Sequence, residues 1–348
     1  MGAGEAVFFQ ASPEMADRGD RLCHQLQQAF PSLKPEQLAL TWLVYDTTER
    51  LGDSASCLPR DLRPHGYSYR GLEPIYPASV VKLFYLVAYH QQLADGTLAP
   101  DPELERAVTD MIVDSSNDAT GYVMDVLTGT TSGPPLVGTD WEQWQDRRNG
   151  PNRYFASWGW PEWAGCSANQ KTWCDGPYGR ERAFLGLNYE NRNYLNSQVS
   201  ARLFHSLVTG AVVSPAACGA MLHLMRRSLD PDDLAADPEN QVTGFLGAGV
   251  PRSARVWSKA GLMSRVRHDA AYVEFGLGQK HNSGRSGQNN PTEPLTEDLA
   301  SNHPDLYVPP FLLVIFTEGR EHSENEAILP HAASIAVELL TNRPRGTE

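Results

Sequence analysis

The apolar positions of the chain recur with two periods, and the change of period divides it. The segment SPEMADRGDRLCHQLQQAF opens with Ser12 and Pro13 and sets Leu22, Leu26 and Phe30 at four-residue steps, which predicts a helix. LALTWLVYDTT, from Leu38, is short and rich in β-formers and predicts a strand. The turn-rich stretch from Leu51 to Tyr76 is expected to bring in a second strand. From Ser79 to about Asp230 the steps are of three and four residues, in PELERAVTDMIVD, DATGYVMDVLTG, SQVSARLFHSLVTG and SPAACGAMLHLMRRSL, and the reading is mainly helical. Within it, the Gly-, Asn- and Trp-rich stretch 159–196 is long for a connection and reads as a functional loop or an insertion. Strands return in ARVWSKAGLM, RHDAAYVEF and PFLLVIFTEG, followed by a helix from about Asn325 to Leu340. The polar, breaker-rich residues 277–308 are expected to form a mobile surface loop.

Strands at both ends with helices between them predict an α+β fold of one domain and two lobes. The mixed α/β lobe would take residues 1–77 and 235–348, with an antiparallel sheet flanked by the terminal helices. The all-α lobe would take 78–234. A cleft between two such lobes is a favoured place for a site. At 348 residues, 41% hydrophobic and 20% charged, the composition is that of an ordinary globular protein with ample core. The formal net charge of -13 argues against a nucleic-acid partner or an anionic membrane surface, while leaving room for a small anionic substrate. No apolar run reaches the length of a membrane span. The opening residues lack a basic n-region and an apolar h-region, which points to a cytoplasmic protein, or to an exported one whose leader had been removed. The five cysteines, an odd number without metal-type spacing, read mostly as free thiols, with pairing of Cys166 and Cys174 left open. The ten histidines show no metal-ligand spacing, so neither a metal nor another cofactor is implied, and the oligomeric state stays open.

The stretch YPASVVKLFYLVAYH is apolar on almost every side from Val80 to Tyr89, the mark of a helix surrounded by protein. Lys82 nevertheless stands in its first turn, where the positive end of the dipole disfavours a cation. Three residues earlier, Ser79 shares its face. Burial and dipole together push such a lysine towards a neutral amine, which can take a proton from a neighbouring hydroxyl and make it a nucleophile. The plainer reading is a capping serine and a snorkelling lysine. In MIVDSSNDATGYVMDVL, Ser115, Ser116 and Asn117 form a bend between two helices, able to aim a hydroxyl and a carboxamide into a cleft or simply to cap the second helix. In VWSKAGLMS, Lys259, Ala260 and Gly261 lie on a strand, where the glycine admits close approach of another backbone or a ligand and the lysine would equally suit a protected edge.

Ser-x-x-Lys, Ser-x-Asn and Lys-x-Gly, in that order on helix, interhelical bend and strand, resemble the penicillin-recognising serine hydrolases, and most of all the class A β-lactamases, from about Leu38 to Leu340. The resemblance implies a β-lactamase/transpeptidase-like fold. It implies Ser79 as the acylated nucleophile, Lys82 as its proton acceptor, and Ser115 as the relay to the leaving nitrogen. Asn117 would bind the amide side chain of the substrate, Lys259 would add positive charge, and the N–H groups of Ser79 and Leu262 would form the oxyanion hole beside Gly261. Glu190, in LNYENRNYLNSQVS, is the candidate base for deacylation, with Asn193 beside it. The substrate class implied is a small β-lactam or a related amide or ester.

Some positions depart from that pattern. Ala260 replaces the hydroxyl residue usual between Lys and Gly, which would help hold a substrate carboxylate; Arg265, Arg267 or His268 could compensate, but they read first as solvated strand-end charges. Ser116 stands where Asp is usual. The tract from Trp141 to Trp173 reads either as an aromatic wall along the cleft or as packing, and Asn169, Gln170 and Lys171 beside it as a specificity loop. A D-alanyl carboxypeptidase or esterase of the penicillin-binding type, and a binding module that kept the fold without turnover, are the competing readings.

Overall fold

A computed structural model describes residues 8–51, 57–173, 176–276 and 307–341. Its centre is one sheet in which β1 (Gln10–Ala11), β2 (Leu38–Val44), β3 (His65–Tyr69), β4 (Arg226–Arg227), β5 (Ala254–Met263), β6 (Val266–Phe275) and β7 (Phe311–Glu318) lie in the order β1-β3-β2-β7-β6-β5-β4. All neighbours are antiparallel except β1 and β3. The early strand β2 pairs with the last strand β7 from Leu38↔Thr317 to Val44↔Phe311, so both chain ends build the sheet.

Side chains alternate across a strand, and here both faces are covered. Ala39, Leu43, Tyr272, Leu312 and Val314 face one core, shared with the helices of the middle of the chain. Leu38, Leu40, Trp42, Ala271, Leu313 and Ile315 face the other, shared with α1 (Pro13–Ala29) and the helix Ile328–Thr341. This double burial explains why β2 reads as a continuous apolar run. Ser12 caps α1, its Oγ accepting the Met15 N–H at 3.1 Å.

The middle of the chain is helical. A 3-10 turn, Ala78–Val81, leads into α2 (Lys82–Ala94), whose residues Lys82 to Tyr89 are all buried. Around it lie α3 (Pro102–Ile112), α4 (Asn117–Thr128), α5 (Gly138–Arg148), α6 (Gly150–Ala156), α7 (Gly179–Leu185), α8 (Ser197–Val208) and α9 (Pro215–Met225). The tryptophans of this part pack helices together: Trp144 stacks on Trp141 at 5.6 Å and meets Phe184 at 5.3 Å, while Trp163 lies 5.6 Å from Phe84 of α2. That geometry favours packing over a wall along a cleft. Asn169, Gln170 and Lys171 are buried rather than displayed. The Lys171 ammonium meets Asp125 at 2.6 Å, and Arg148 joins Asp125 to Glu181 at 3.2 and 2.7 Å, so these charges are balanced inside the helical part.

Cys23, Cys57, Cys166 and Cys218 are free thiols, whereas Cys174 lies outside the described residues. The expected mobile loop also lies outside them, save for its end, where Val308 is buried and the Tyr307 hydroxyl donates to Thr47 O at 2.5 Å. Among the described residues no helix is long and apolar enough to cross a membrane.

Candidate active site

Ser79 lies within the 3-10 turn ahead of α2. With three residues per turn, that geometry sets Lys82 on the face of Ser79, and the first N–H groups of the turn have no acceptor within it. Ala78 holds φ at 45° and Ser115 at 56°, left-handed values that cost a non-glycine residue on the order of 1–3 kcal/mol. Strain thus sits beside one candidate serine and on the other.

The bend between α3 and α4 divides its work among three residues. Ser116 caps α4, its Oγ accepting the Ala119 N–H at 3.2 Å. Asn117 turns Oδ1 towards Lys82, whose Nζ donates to it at 2.9 Å and to the Ser115 carbonyl oxygen. Ser115 aims its Oγ between two buried lysines, 3.2 Å from Lys82 Nζ and 2.9 Å from Lys259 Nζ. Residues of α2, the interhelical bend and β5 thus converge on one hydroxyl. Two ammonium groups so close repel each other strongly in a dry setting. Burial first, and then the charges of Lys82 and Arg227, push Lys259 well below the ordinary range of a lysine.

Strand β5 forms the opposite wall. Past its short pairing with β4, its outer edge is free of strand partners: Ser258 O accepts from Arg227, and Ala260 O and N bind Lys259 Nζ and Gln241 Oε1. Antiparallel pairing turns every second residue outward, so the N–H of Leu262 points from the same edge. Between them Gly261 sits so close to the 3-10 turn that a Cβ on it would lie 2.7 Å from Pro77 O and 3.1 Å from Ser79 N. This is the close approach expected of that glycine, and it brings the Leu262 edge alongside the N–H of Ser79.

Residues without a motif complete the site. Gln241 donates through Nε2 to Ile112 O at 2.9 Å and Val113 O at 2.7 Å, at the end of α3, and accepts through Oε1 from Lys259 Nζ and the Ala260 N–H. Arg227 donates to Ser258 O and Ile112 O from the same side, with burial drawing its pKa down to about 10. Asp269, opposite Ala260 on β6, accepts the Leu246 N–H at 3.0 Å, while among the described residues its buried Oδ1 has no partner. Burial pushes its pKa up to about 7. No local pattern marks these three; only pairing across lobes and strands reveals them.

The residues expected to compensate for Ala260 are engaged elsewhere. His268 is fully buried, bonded through Nε2 to Tyr76 O at 2.9 Å and accepting the Thr317 N–H at Nδ1, and burial holds its pKa at about 4. Arg267 is buried against Phe245 and donates to Ser323 O and Gly244 O. Arg265 is exposed in the turn beyond β5. Glu190 is the predicted site residue that the structure leaves apart from the lysine cluster. It is exposed, accepts from the Asn188 N–H and Nδ2, and is held below the usual carboxylate range by its own and the Asn188 N–H groups. Asn193, by contrast, is buried and ties Gln170 to Tyr85 of α2. At the rim, Leu262 and Met263 are about half exposed, and Arg192 lies 3.7 Å over the Tyr76 ring and 3.9 Å from Met263 Sδ.

Residues 101–280 match the sequence profile of the beta-lactamase enzyme family, more than half of the chain. The chain belongs to that family. The match takes in Ser115, Asn117 and Lys259 of this beta-lactamase family member but begins after Ser79 and Lys82, which stand on the geometry above. No curated protein matches it. Among solved structures, a beta-lactamase from Sphaerobacter thermophilus is 16% identical, with a TM-score of 0.56 over 93% of this chain and 98% of that one. A beta lactamase from Burkholderia vietnamiensis is 12% identical, with a TM-score of 0.55 over 96% and 98%. A mutant of PBP-A, solved as an acyl-enzyme complex with penicillin G, is 15% identical, with a TM-score of 0.53 over 92% and 96%. At such identities the likeness is one of fold, the β-lactamase/transpeptidase-like fold.

Proposed function

We propose that this family member is a serine hydrolase that acylates Ser79, acting on a small amide or ester, β-lactams included. The observation that carries the reading is the Ser115 hydroxyl held between two buried lysine amines, with the oxyanion-facing edge of β5 pressed against the turn of Ser79. Burial first, and then the charges of Lys82 and Arg227, push Lys259 well below the ordinary lysine range, so the cluster holds its protons less firmly than two solvated ammonium groups would. Ser79 Oγ attacks the carbonyl carbon as its proton passes to Lys82 Nζ. Negative charge builds on the carbonyl oxygen, facing the N–H groups of Ser79 and Leu262. The bond to the leaving nitrogen or oxygen then breaks as Ser115 donates its proton and recovers one from the lysines. Asn117 orients the acyl side, and Gly261 gives the backbone its close approach. Water finally attacks the ester, releasing acid and Ser79.

The last step separates two behaviours. A second reading, long-lived acylation of the penicillin-binding type, is favoured by Glu190, which lies in solvent on Asn188 rather than on the lysine cluster. As deacylation base, Glu190 remains a proposal. Intact-mass measurement after exposure to nitrocefin and to activated esters tests both, on the wild type and on Ser79→Ala. An adduct of acyl mass on the wild type alone supports acylation, and its lifetime tells hydrolysis from trapping. Equal residual rates in the two proteins would remove Ser79 as nucleophile, and binding without any adduct would make the chain a binding module.

A further inference from the structure

The flank of the site past which the leaving group departs is laced with hydrogen bonds between protein groups. In the reading above, on which this inference rests, the leaving atom takes its proton from Ser115, so the leaving portion lies against Ser115, Lys259 and the Ala260 edge of β5. A carboxylate carried there loses water and must gain hydrogen-bond donors in its place.

Among the described residues, Lys259, Gln241, Arg227 and the Ala260 N–H on that flank all have protein acceptors. Lys259 Nζ contacts three oxygens, Ser115 Oγ at 2.9 Å, Ala260 O at 2.9 Å and Gln241 Oε1. The outward N–H of Ala260 goes to Gln241 Oε1, and the Ala260 side chain is a methyl group in the core. Gln241 turns both amide protons to Ile112 O and Val113 O, leaving only an acceptor oxygen towards the lysine. Arg227 donates to Ser258 O, Ile112 O and Val113 O. His268 is bonded at both ring nitrogens, and Arg267 donates into the core beside Phe245. An incoming carboxylate would therefore meet Gln241 Oε1 and the Ala260 carbonyl rather than N–H groups. At the other end of the strand the rim carries Leu262 and Met263, about half exposed, with the Arg192 guanidinium stacked on the Tyr76 ring beside Met263.

We propose that the substrate is an ester or amide whose leaving portion is uncharged, and that a carboxylate on that portion counts against it. Free-acid penicillins and peptides ending in a carboxylate would then be poor substrates, whereas neutral alkyl or aryl esters and amides would be good ones.

The test compares nitrocefin, which carries a carboxylate on the ring of its leaving nitrogen, with its methyl ester. Each kcat/KM, or the second-order rate of acylation if release is slow, is divided by the hydroxide-catalysed rate of the same compound. Intact mass on wild type and Ser79→Ala locates the label. The expected result is a corrected rate for the methyl ester about tenfold or more above that of the acid. An acid that reacts as fast as its ester, or faster, while still labelling Ser79 overturns this inference and leaves the acylation reading standing. Absence of any Ser79 label with either compound and with activated esters overturns both.

Discussion

Gly261→Ala adds one methyl group where β5 crosses the turn that carries Ser79. The new Cβ would lie 2.7 Å from Pro77 O and 3.1 Å from Ser79 N, both backbone atoms that cannot rotate away. A carbon and an oxygen rest no nearer than about 3.2–3.3 Å, so strand and turn must separate by about half an ångström. Overpacking of that kind costs roughly 1–3 kcal/mol of stability. The larger effect falls on chemistry, because the separation widens the gap between the N–H groups of Ser79 and Leu262, and losing one oxyanion donor lowers turnover by about 10²–10³. The assay is the second-order rate of Ser79 acylation by nitrocefin methyl ester, with urea unfolding of the same preparation. Leu313→Ala serves as the comparison. It opens a cavity on the other face of the sheet, with an expected loss of about 2–5 kcal/mol and near-normal acylation. If Gly261→Ala acylates within a few-fold of wild type, or if Leu313→Ala loses as much rate, the oxyanion assignment fails.

Gln241→Leu leaves the Ala260 N–H without its acceptor and Lys259 short of one, so a loss of about 2–3 kcal/mol in urea unfolding is expected, with little change predicted for an exposed control such as Glu142→Gln. Stability should also decline on acidification. Burial holds His268 and His205 at about 4, so between 6.5 and 4 the unfolded chain binds protons that the folded chain does not, up to about 1.4 kcal/mol per pH unit for each histidine. Asp269, raised to about 7, acts in the opposite sense over about 4 to 7 but as a single group. The urea midpoint should therefore fall from pH 7 to pH 5; a level or rising midpoint would contradict the burial assignments. Glu190→Gln is expected to leave the lifetime of the acyl-enzyme within about threefold of wild type, as befits a side chain in solvent. Stabilisation of the adduct by tenfold or more would restore Glu190 as the base.

The order of elements could be read from the chain because its periods change cleanly, from the four-residue steps of α1 to the β-formers of β2 and back. Ser79, Lys82, Ser115, Asn117, Lys259 and Gly261 stand out in the sequence because the Ser-x-x-Lys, Ser-x-Asn and Lys-x-Gly spacings, weak singly, follow one another in the order of the family they resemble. Gln241 offered no such sign: its meaning lies in four partners drawn from α3 and β5, which no window of sequence contains. His268 and Arg267 read as strand-end charges, yet coverage of both sheet faces buries them. The tryptophan tract was ambiguous for a similar reason, since an aromatic run looks the same whether it lines a cleft or joins helices. Glu190 is a candidate base only through the family resemblance, and in the structure it is exposed in a turn bonded to Asn188.

A single glutamine amide clamps the end of α3 to Lys259 and the edge of β5, and Ser115 hangs just beyond that clamp. The two halves of the molecule consequently have no slack where they meet. Any breathing between them pulls the proton-carrying groups apart at the same moment. Activity and cohesion of the halves should vanish together on warming, and improved turnover should be sought in the rim at Leu262 and Met263 rather than in a looser waist.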